Sequence, residues 1–407
     1  MICYRFASFA PRRLCVSLFS VAFCLTATSP SLAQNAIATD SLRRACEFLW
    51  SQQADDGGWH SEQYAVLRSG QALTPFVLHT LLGSIDALSS DETSRVSKAV
   101  AFIQAHVNDD GTIGRGDPDI LEYPLYSTAY SVLCLKRIQS YRHLRREENE
   151  QLVARMEAYL IDAQFDEDDG FTMNDAAYGG WGFDIAQRPG QPGHMDLAHT
   201  RRALDALDAA PGGYSRDYQR LRFDLSLIRE RAGKFLKLVQ KHPDLEQSAL
   251  FDGGFYFSPI VRTANKGREA EKDDTKYFRS YATATCDGVL ALLSAGVPRD
   301  DERVVHAMEW LRQHDDLAYP QGVPADHPEP WGEALRFYHY AVRAEAYAAL
   351  NWPGDWKTRL AAEVARHQAA DGSFRNALSP LMKEDDPLLC TALAAIALTH
   401  CQIGISD

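Results

Sequence analysis

The chain has 407 residues, of which 45% are apolar and 24% are charged, and its formal net charge is −13 at pH 7. This composition is ordinary for a globular protein, and the length agrees better with one large domain than with several small ones. The negative charge argues against nucleic acid and against an anionic membrane surface as the main partner.

The N-terminal segment has the pattern of an export signal. Three arginines precede an apolar run from Leu14 to Leu25, and Ser31-Leu32-Ala33 supplies a small-x-small cleavage site. We therefore expect a signal peptide at residues 1–33 and a single domain at 34–407. A retained membrane anchor is the alternative, although the apolar run is short for a spanning helix. The predicted location is periplasmic or secreted.

A helical apolar pattern that ends in a Gly-containing turn with an aromatic residue nearby occurs six times along the chain. The four clear copies pair Gln53 with Gly57-Gly58-Trp59, Gln164 with Gly170-Phe171, Gln240 with Gly253-Gly254-Phe255, and Gln368 with Gly372-Ser373-Phe374. Two degraded copies end at Gly111-Thr112-Ile113 and at Gly322. Glycine suits the residue just past a helix end because it adopts the left-handed conformation without a Cβ penalty.

A second helix is predicted after each turn, and it carries its own pattern, a Thr followed four residues later by an aliphatic residue. The examples are Thr128, Thr200, Thr285 and Thr391, with Tyr340 in the corresponding place of the fifth unit. Self-similar units of this size stack because none of them buries its apolar face alone. The sequence therefore predicts an all-α fold, a six-hairpin α/α toroid with six outer helices, six inner helices and a central cavity.

The Leu-x3-Gln…Gly-x-Trp/Phe unit resembles the QW repeat of the squalene-hopene and oxidosqualene cyclases, whose fold is shared with the β-subunits of protein prenyltransferases. Trp181, within Gly179-Gly180-Trp181-Gly182-Phe183, is another fragment of the same style. The resemblance covers nearly all of the predicted mature chain and implies the terpenoid cyclase toroid. Complete triterpene cyclases have two toroid-type domains and this chain has room for one, so it looks closest to exported bacterial relatives without an established reaction.

The resemblance also directs attention to acidic runs, because class II terpene cyclases use an Asp-x-Asp-Asp motif to protonate an alkene or epoxide. The run 166–169 matches those letters, but it directly precedes a turn Gly and is interpreted as a structural turn. The run 271–274 has Glu in place of the first Asp and lies just ahead of the inner helix that starts near Ser280. Asp273 and Asp274 are therefore the candidate catalytic acids, with a solvated charge run as the alternative.

His339 is the third candidate catalytic residue. Its imidazole lies among Phe337, Tyr338 and Tyr340, and it is either a hydrogen-bonded core group or an acid/base in the cavity. His199 occupies the equivalent position of another unit, and the two are expected to face each other across the cavity. They belong to non-adjacent units, so no metal site is expected. No cofactor is expected either.

Aromatic side chains on the inner helices are the predicted ligand-binding residues. A cavity that guides a carbocation or binds a polyprenyl chain should be lined by π faces, which stabilise cations and offer apolar surface. The predicted set is Tyr126, Tyr130, Tyr281, Phe337 and Tyr338, together with His199. The predicted partner is an apolar small molecule such as an isoprenoid, and peripheral contact with a membrane is compatible with it. The sequence identifies no protein partner.

The cysteines and two further aspartates are given structural roles. The five cysteines of the predicted mature chain lie in helical apolar patterns without CxxC spacing, so they are predicted to be buried without forming disulfides. The zinc of protein prenyltransferases is held by an Asp-x-Cys pair and a distant His, whereas Cys286 here has Ala284 two positions before it. Asp196 and Asp386 each precede an inner helix and are interpreted as N-terminal caps.

Three functions remain open from the sequence. The first is an exported cyclase-like isomerase or lyase, or a transferase, acting on an isoprenoid in the aromatic cavity. The second is a non-catalytic toroid that binds a lipid or a protein. The third is a carbohydrate-active enzyme, because some sugar enzymes also use six-hairpin toroids, and their paired carboxylates cannot be recognised without coordinates. A fold analogy by itself assigns none of them.

Overall fold

The computed structural model describes residues 30–85, 87–117, 119–141, 143–189, 193–209, 218–241, 251–272 and 275–402. The predicted signal peptide lies almost wholly outside these ranges. Within them, none of the helices combines the length and the apolar character that a bilayer crossing requires.

The described chain is mainly helical. The helices are, in chain order, α1 (Pro30–Ser51), α2 (Ala65–Arg68), α3 (Leu73–Ser84), α4 (Ser90–His106), α5 (Pro124–Ile138), α6 (Glu147–Asp162), α7 (Leu197–Asp208), α8 (Tyr218–Val239), α9 (Ala282–Ser294), α10 (Glu302–Gln313), α11 (Trp331–Ala334), α12 (Arg336–Ala349), α13 (Trp356–Ala365) and α14 (Pro387–Cys401). Four short strands are β1 (Trp181–Gly182), β2 (Met195–Asp196), β3 (Glu269–Lys272) and β4 (Thr275–Phe278). They form the antiparallel pairs β1–β2 and β3–β4.

Six of these helices form a closed inner ring. The contacts run from α3 to α5, α7, α9, α12 and α14, and α14 returns to α3. The outer helices α1, α4, α6, α8, α10 and α13 each pack against one or two members of this ring. The structure thus confirms the predicted all-α toroid of six helical hairpins.

Burial distinguishes the two layers in the way that the sequence pattern requires. The inner helix α14 buries residues around almost its whole circumference. The outer helix α4 buries a single stripe that includes Val96, Val100 and Ile103, and its other face is polar. A helix that is apolar all round lies inside, whereas one with an apolar stripe covers the inside. The described cysteines are all buried and form no disulfide: Cys46, Cys134, Cys286, Cys390 and Cys401.

A Thr near the start of five of the six inner helices has a specific structural role. Its side-chain oxygen accepts a hydrogen bond from the backbone N–H of the residue that follows the Gly turn of the same unit. The pairs are Thr74 with Trp59, Thr128 with Ile113, Thr200 with Trp181, Thr285 with Phe255 and Thr391 with Phe374. These donors are buried, and a buried N–H without a partner is costly. The fifth unit lacks this bond, since the Tyr340 hydroxyl donates to Glu363 instead.

The Gln at the end of each clear outer helix ties neighbouring units together. Its side-chain amide donates to the carbonyl of the turn Gly and to a carbonyl of the next outer helix. The acceptors are Gly57 and Arg95 for Gln53, Gly179 and Ile228 for Gln164, Gly253 and Arg303 for Gln240, and Gly372 and Ser41 for Gln368. Because Ser41 lies in α1, the last of these links joins the sixth unit to the first and helps to close the ring.

The third unit corrects the predicted repeat in one place. The bonds that define the aromatic position belong to Trp181, whose backbone N–H donates to Thr200 and whose indole N–H donates to the Leu160 carbonyl. Phe171, which the sequence pattern placed there, belongs to an inserted segment. The turn Gly of this unit is therefore Gly179, with φ of 82°. The repeat was misread because the insertion carries its own Gly-aromatic pair.

Candidate functional site

A cavity of about 500 Å³ lies at the end of the ring where the inner helices begin. The first turns of all six inner helices contribute to its wall, and the segment 257–266 and residues 382–384 complete it. Aromatic side chains form much of the wall, among them Phe76, Tyr126, Tyr130, Phe257, Tyr281 and Tyr338. A volume in the range of about 300–1,000 Å³, mainly apolar walls and a few polar groups are typical of a small-molecule site.

Five of the predicted ligand-binding residues come together in this cavity. Tyr126, Tyr130, His199, Tyr281 and Tyr338 all line it. Each lies at the start of an inner helix, within a few residues of the Thr or Tyr that marks the repeat, so the closed ring brings them to the same end. The ring of Tyr126 meets His199 edge to face at 4.6 Å between centroids, and the Arg202 guanidinium lies 4.6 Å from the centre of the Tyr130 ring.

Two predicted residues of α12 are placed elsewhere. Phe337 is buried against Tyr340 and Phe374, away from the residues that line the cavity. His339 is fully buried, with Nε2 3.1 Å from the carbonyl oxygen of Asp316. Successive helical residues point about 100° apart, so Tyr338 faces the cavity and its two neighbours do not.

His339 is therefore a core histidine in this structure. Burial, with a smaller contribution from Arg343, lowers its pKa well below the ordinary value, so the ring is neutral at physiological pH. The predicted role as a cavity acid/base is not supported by this position. The other two predicted catalytic residues, Asp273 and Asp274, lie outside the described residues.

The acidic run 166–169 forms a local turn, in agreement with its structural interpretation. Residues Glu167–Asp169 make one turn of 3-10 helix, and the Asp166 side chain accepts from the Asp168 N–H. Arg231 of α8 pairs with Asp166 at 2.6 Å. The carboxylates are thus used to fasten the inserted segment to an outer helix.

A cluster of two histidines and an aspartate stands on the cavity wall where β2 leads into α7. The Asp196 Oδ2 atom lies 2.9 Å from Nε2 of His194 and 2.8 Å from Nδ1 of His199. All three residues line the cavity. Burial opposes the ionisation of Asp196, yet the two imidazoles hold the pKa of its carboxyl below the usual range. Asp196 and His199 are almost completely buried, whereas the side chain of His194 is 44% exposed.

The sequence interpretation of Asp196 as a helix cap is correct but incomplete. Its Oδ1 atom accepts from the backbone N–H of His199, which is the expected cap. The second oxygen serves the cluster, and His194 was not considered a candidate. The signal in the sequence is the spacing His-x-Asp-x-x-His across a helix start, which places the second His in the first turn beside the cap.

Glu384 places a second carboxyl group on the cavity wall. It is 1% exposed and accepts hydrogen bonds from the backbone N–H groups of Phe337 and Tyr338 and from the side chain of Asn376. Burial raises its pKa to about 7, against the opposing effect of these donors. Glu384 therefore holds a proton for a substantial part of the time at neutral pH.

A buried ionic network lies directly behind Tyr338. The Tyr338 hydroxyl donates to Asp287 at 2.7 Å, and Arg201 pairs with Asp287 at 3.0 Å and with Glu345 at 2.8 Å. Burial raises the pKa of Asp287 to about 6 despite Arg201. Burial also opposes ionisation of Glu345, yet Arg201 and Arg202 lower its pKa to about 2. The network fixes the orientation of Tyr338 against the cavity.

Lys266 brings a cation to the cavity. Its ammonium lies 3.4 Å from the centre of the Trp331 ring, a cation–π contact. Burial lowers its pKa to about 8. The positive ends of the inner helices also converge on this end of the ring. This end of the cavity therefore suits a ligand whose polar part is neutral or anionic.

A larger, open groove of about 750 Å³ lies beside the β3–β4 pair. It is lined by Arg262, Arg268, Glu269 and Asp326, with Trp331 at one side. Charged, exposed side chains dominate it and the inner helices do not enclose it, so the central cavity is the better candidate for an apolar ligand.

Comparisons with known proteins support the fold. No family model matches the chain, and no curated protein matches it. Among solved structures, a variant of the type II terpene cyclase MstE from Scytonema, bound to merosterolic acid A, is 13% identical with a TM-score of 0.53. The match covers 91% of this chain and 98% of that one. A second MstE variant, bound to geranylgeranyl dihydroxybenzoate, has the same identity and coverage with a TM-score of 0.51.

A sugar enzyme is similar to the same degree. The GH76A α-1,6-mannanase from Salegentibacter sp. is 11% identical with a TM-score of 0.50, and the match covers 90% of this chain and 98% of that one. At these identities the likeness concerns the fold and not the reaction. The chain thus has the α/α toroid fold that the type II terpene cyclase MstE and this mannanase share.

Proposed function

We propose that this protein binds an isoprenoid, an apolar branched chain with a polar end, in the central cavity of its toroid. The observation that carries the proposal is the cavity itself, which is enclosed by the inner helices and lined mainly by aromatic and aliphatic side chains. The chain of the ligand lies against Tyr126, Tyr130 and Tyr281, and its polar end lies towards Lys266. The structural neighbour that binds geranylgeranyl dihydroxybenzoate supports this choice of ligand class.

The wall also fits an apolar ligand better than a sugar. A glycosidase needs paired carboxyl groups on either side of its scissile bond and hydrogen-bonding partners for the hydroxyl groups. Among the described residues only Asp196 and Glu384 bring carboxyl groups to this cavity, Asp196 is held by two imidazoles and a backbone N–H, and the surface between the polar groups is apolar. Desolvation of such a surface by a hydrocarbon contributes about 25 cal/mol per Å².

Binding is tested by calorimetric titration with geranylgeranyl dihydroxybenzoate. Ala198 lies in the first turn of α7 on the cavity wall, so Ala198→Trp fills the space that the ligand needs. Ala101→Trp adds the same side chain on the exposed face of the outer helix α4 and is the matched control. We expect binding to the wild type and to the control and none to Ala198→Trp. Leu393→Phe, a smaller filling on α14, should weaken binding if Ala198→Trp fails to fold. Equal binding by all folded variants would refute the proposal.

We further propose that Glu384 donates the proton that starts a cyclisation of the bound isoprenoid. Its buried position on the wall and its raised pKa support this role. The proton passes from the carboxyl oxygen to an alkene carbon, whose π electrons form the new C–H bond and leave a carbocation. A second alkene attacks the cation and closes a ring, and loss of a proton to the cavity wall yields an isomer of the substrate. The tyrosine rings stabilise the cation through their π faces.

The product of this reaction has a mass signature. A reaction in D₂O with geranylgeranyl dihydroxybenzoate should give an isomer of the substrate in which one deuterium bound to carbon has replaced one hydrogen. Glu384→Gln should abolish it, whereas Asp385→Asn should not, because Asp385 is bonded to the Tyr64 hydroxyl and does not line the cavity. Product formed without deuterium, or formed equally by Glu384→Gln, would contradict the role of Glu384 and would leave the binding proposal to be judged by the titration.

A further inference from the structure

We propose that His194, Asp196 and His199 form a binding site for a divalent transition-metal ion, Zn²⁺ or a cation of the same class, on the wall of the cavity. The proposal goes beyond the isoprenoid ligand and does not depend on it. It rests on the arrangement of the three side chains, on how the oxygens of Asp196 are used, and on a histidine at a position where the repeat does not require one.

The donor atoms of the three side chains are already gathered. The Oδ2 atom of Asp196 stands between Nε2 of His194, at 2.9 Å, and Nδ1 of His199, at 2.8 Å. The ligand atoms of the three residues all lie within 4.8 Å of one another. Two imidazole nitrogens and one carboxylate oxygen are a donor set that Zn²⁺ and Fe²⁺ both accept. Three protein ligands on the wall of a cavity leave the remaining coordination positions to a ligand or water.

The backbone explains why the three side chains meet. β2 pairs with β1, with Met195 opposite Gly182 and Asp196 opposite Trp181, so the position of the chain before α7 is fixed by the sheet. Residues 194 and 196 are two apart on an extended segment and share a side. His199 is the third residue of α7 and turns back towards the cap. The site therefore belongs to a rigid corner of the fold.

The cap on α7 does not account for the cluster. Asp196 uses Oδ1 for the cap and Oδ2 for the imidazoles. Asp386 caps α14 in a similar way, with Oδ1 accepting from the Leu388 N–H, but its Oδ2 is satisfied by the hydroxyl of Ser61. A cap of this fold is thus complete with one hydroxyl partner, and two imidazoles on the second oxygen need another reason.

The identity of residue 199 also points to the cluster. It is 6% exposed and lines the cavity, and among the described residues its Nε2 atom has no hydrogen-bond partner. The repeat does not require an imidazole at this position, which comes directly before the marker Thr. The corresponding residues of four other units are Leu73, Ser127, Ala284 and Cys390. Because it is the Nδ1 atom of His199 that faces Asp196 Oδ2, the histidine at this position is explained by the cluster and not by the repeat.

The groups around the cluster suit a divalent ion that is bound by one carboxylate. The ring of Tyr126 lies against His199, with Phe183 close to the same imidazole at 5.9 Å between centroids. Lys266, which also lines the cavity, is the nearby cation. The carboxylate of Asp196 neutralises one charge of the ion. An oxygen atom of the bound ligand or of water would occupy the open coordination position.

Titration of the chelator-treated protein with Co²⁺ tests the site directly, because the visible absorption of Co²⁺ reports nitrogen and oxygen coordination. We expect one Co²⁺ to bind per chain and Zn²⁺ to displace it. Asp196→Asn keeps an oxygen for the cap but removes the carboxylate, and it should weaken binding by more than about 100-fold, since even residues behind the ligands change affinity by about 10–100-fold. His199→Gln should do the same.

Two controls separate the site from general effects on the fold. Asp386→Asn alters the comparable cap, and His339→Gln alters a buried histidine that does not line the cavity. Both should bind Co²⁺ as the wild type does. Absence of Co²⁺ binding by the folded wild type, or equal binding by wild type and Asp196→Asn, would overturn the proposal. Neither result depends on whether an isoprenoid binds.

Discussion

Thr200→Val tests the hydrogen bond that recurs in five of the six units. The Thr200 side-chain oxygen accepts from the backbone N–H of Trp181 at 3.0 Å and donates to the Asp196 carbonyl at 2.8 Å. Valine has nearly the same shape, so the change creates no cavity and removes only the hydroxyl. The Asp196 carbonyl keeps its helical amide partner, whereas the buried N–H of Trp181 loses its acceptor.

The expected loss of stability follows from that single orphaned donor. A buried N–H without a partner costs about 1–3 kcal/mol, so Thr200→Val should lower the free energy of unfolding by that amount. Thr80→Val is the matched control. Thr80 is equally buried on an inner helix, but its hydroxyl only donates to the Phe76 carbonyl four residues back, and its loss leaves no donor unpaired. We expect it to cost less than about 1 kcal/mol.

Urea unfolding followed by circular dichroism measures both variants. The account predicts that Thr200→Val is the less stable of the two variants, with the same slope against urea. Equal stabilities would refute the assignment of the Thr side chain as the acceptor that joins turn and inner helix.

Three further predictions concern the fold and its charges. Gly179→Ala should destabilise more than Gly354→Ala, because both have positive φ but a Cβ at Gly179 would meet the backbone of α8 whereas Gly354 faces open space; thermal unfolding compares them. The pKa of Glu384 is raised in the folded state, so its contribution to stability is present below about pH 4.5 and is lost as pH rises to about 7; the stability difference between wild type and Glu384→Gln should change across that window in urea titrations. Arg201→Met leaves Asp287 without its buried cation and should cost about 3–5 kcal/mol by chemical unfolding; a change below about 1 kcal/mol would contradict the network.

The fold could be predicted because the residues that end and begin the helices recur at the same positions of the repeat. Gln53 and Gln368 mark the outer-helix ends, and the Thr positions mark the starts of the inner helices. Both residue types turn out to bond the backbone of the Gly turn or of the next unit. The prediction was wrong at Phe171, which lies in an inserted segment. A Gly followed by an aromatic residue also occurs in a local turn that is not part of the repeat.

The cavity residues could be predicted in part for the same reason. Tyr126, Tyr281 and Tyr338 lie close to the repeat marker, and the ring geometry brings equivalent positions to one end. The sequence could not predict which of these side chains point into the cavity. Adjacent helical residues point about 100° apart, and aromatic residues occupy several consecutive positions. Phe337 and Tyr338 show the consequence, because one packs in the core and the other lines the cavity.

The cluster at the start of α7 could not be predicted by considering its residues one at a time. Asp196 was explained by its cap, and His199 was compared only with His339. His194 enters the site through the pairing of β1 with β2, a contact between segments that no helical period reveals. Glu384 precedes the cap residue Asp386 by two positions, and only the structure places it on the cavity wall.

The central claim is that the toroid holds an isoprenoid in its aromatic cavity, and a crystal structure of the protein with geranylgeranyl dihydroxybenzoate tests it most directly. The account predicts continuous ligand density among Tyr126, Tyr130 and Tyr281, with the polar end towards Lys266. An empty cavity in crystals whose protein is saturated with the compound, or density confined to the groove beside β3–β4, would contradict it.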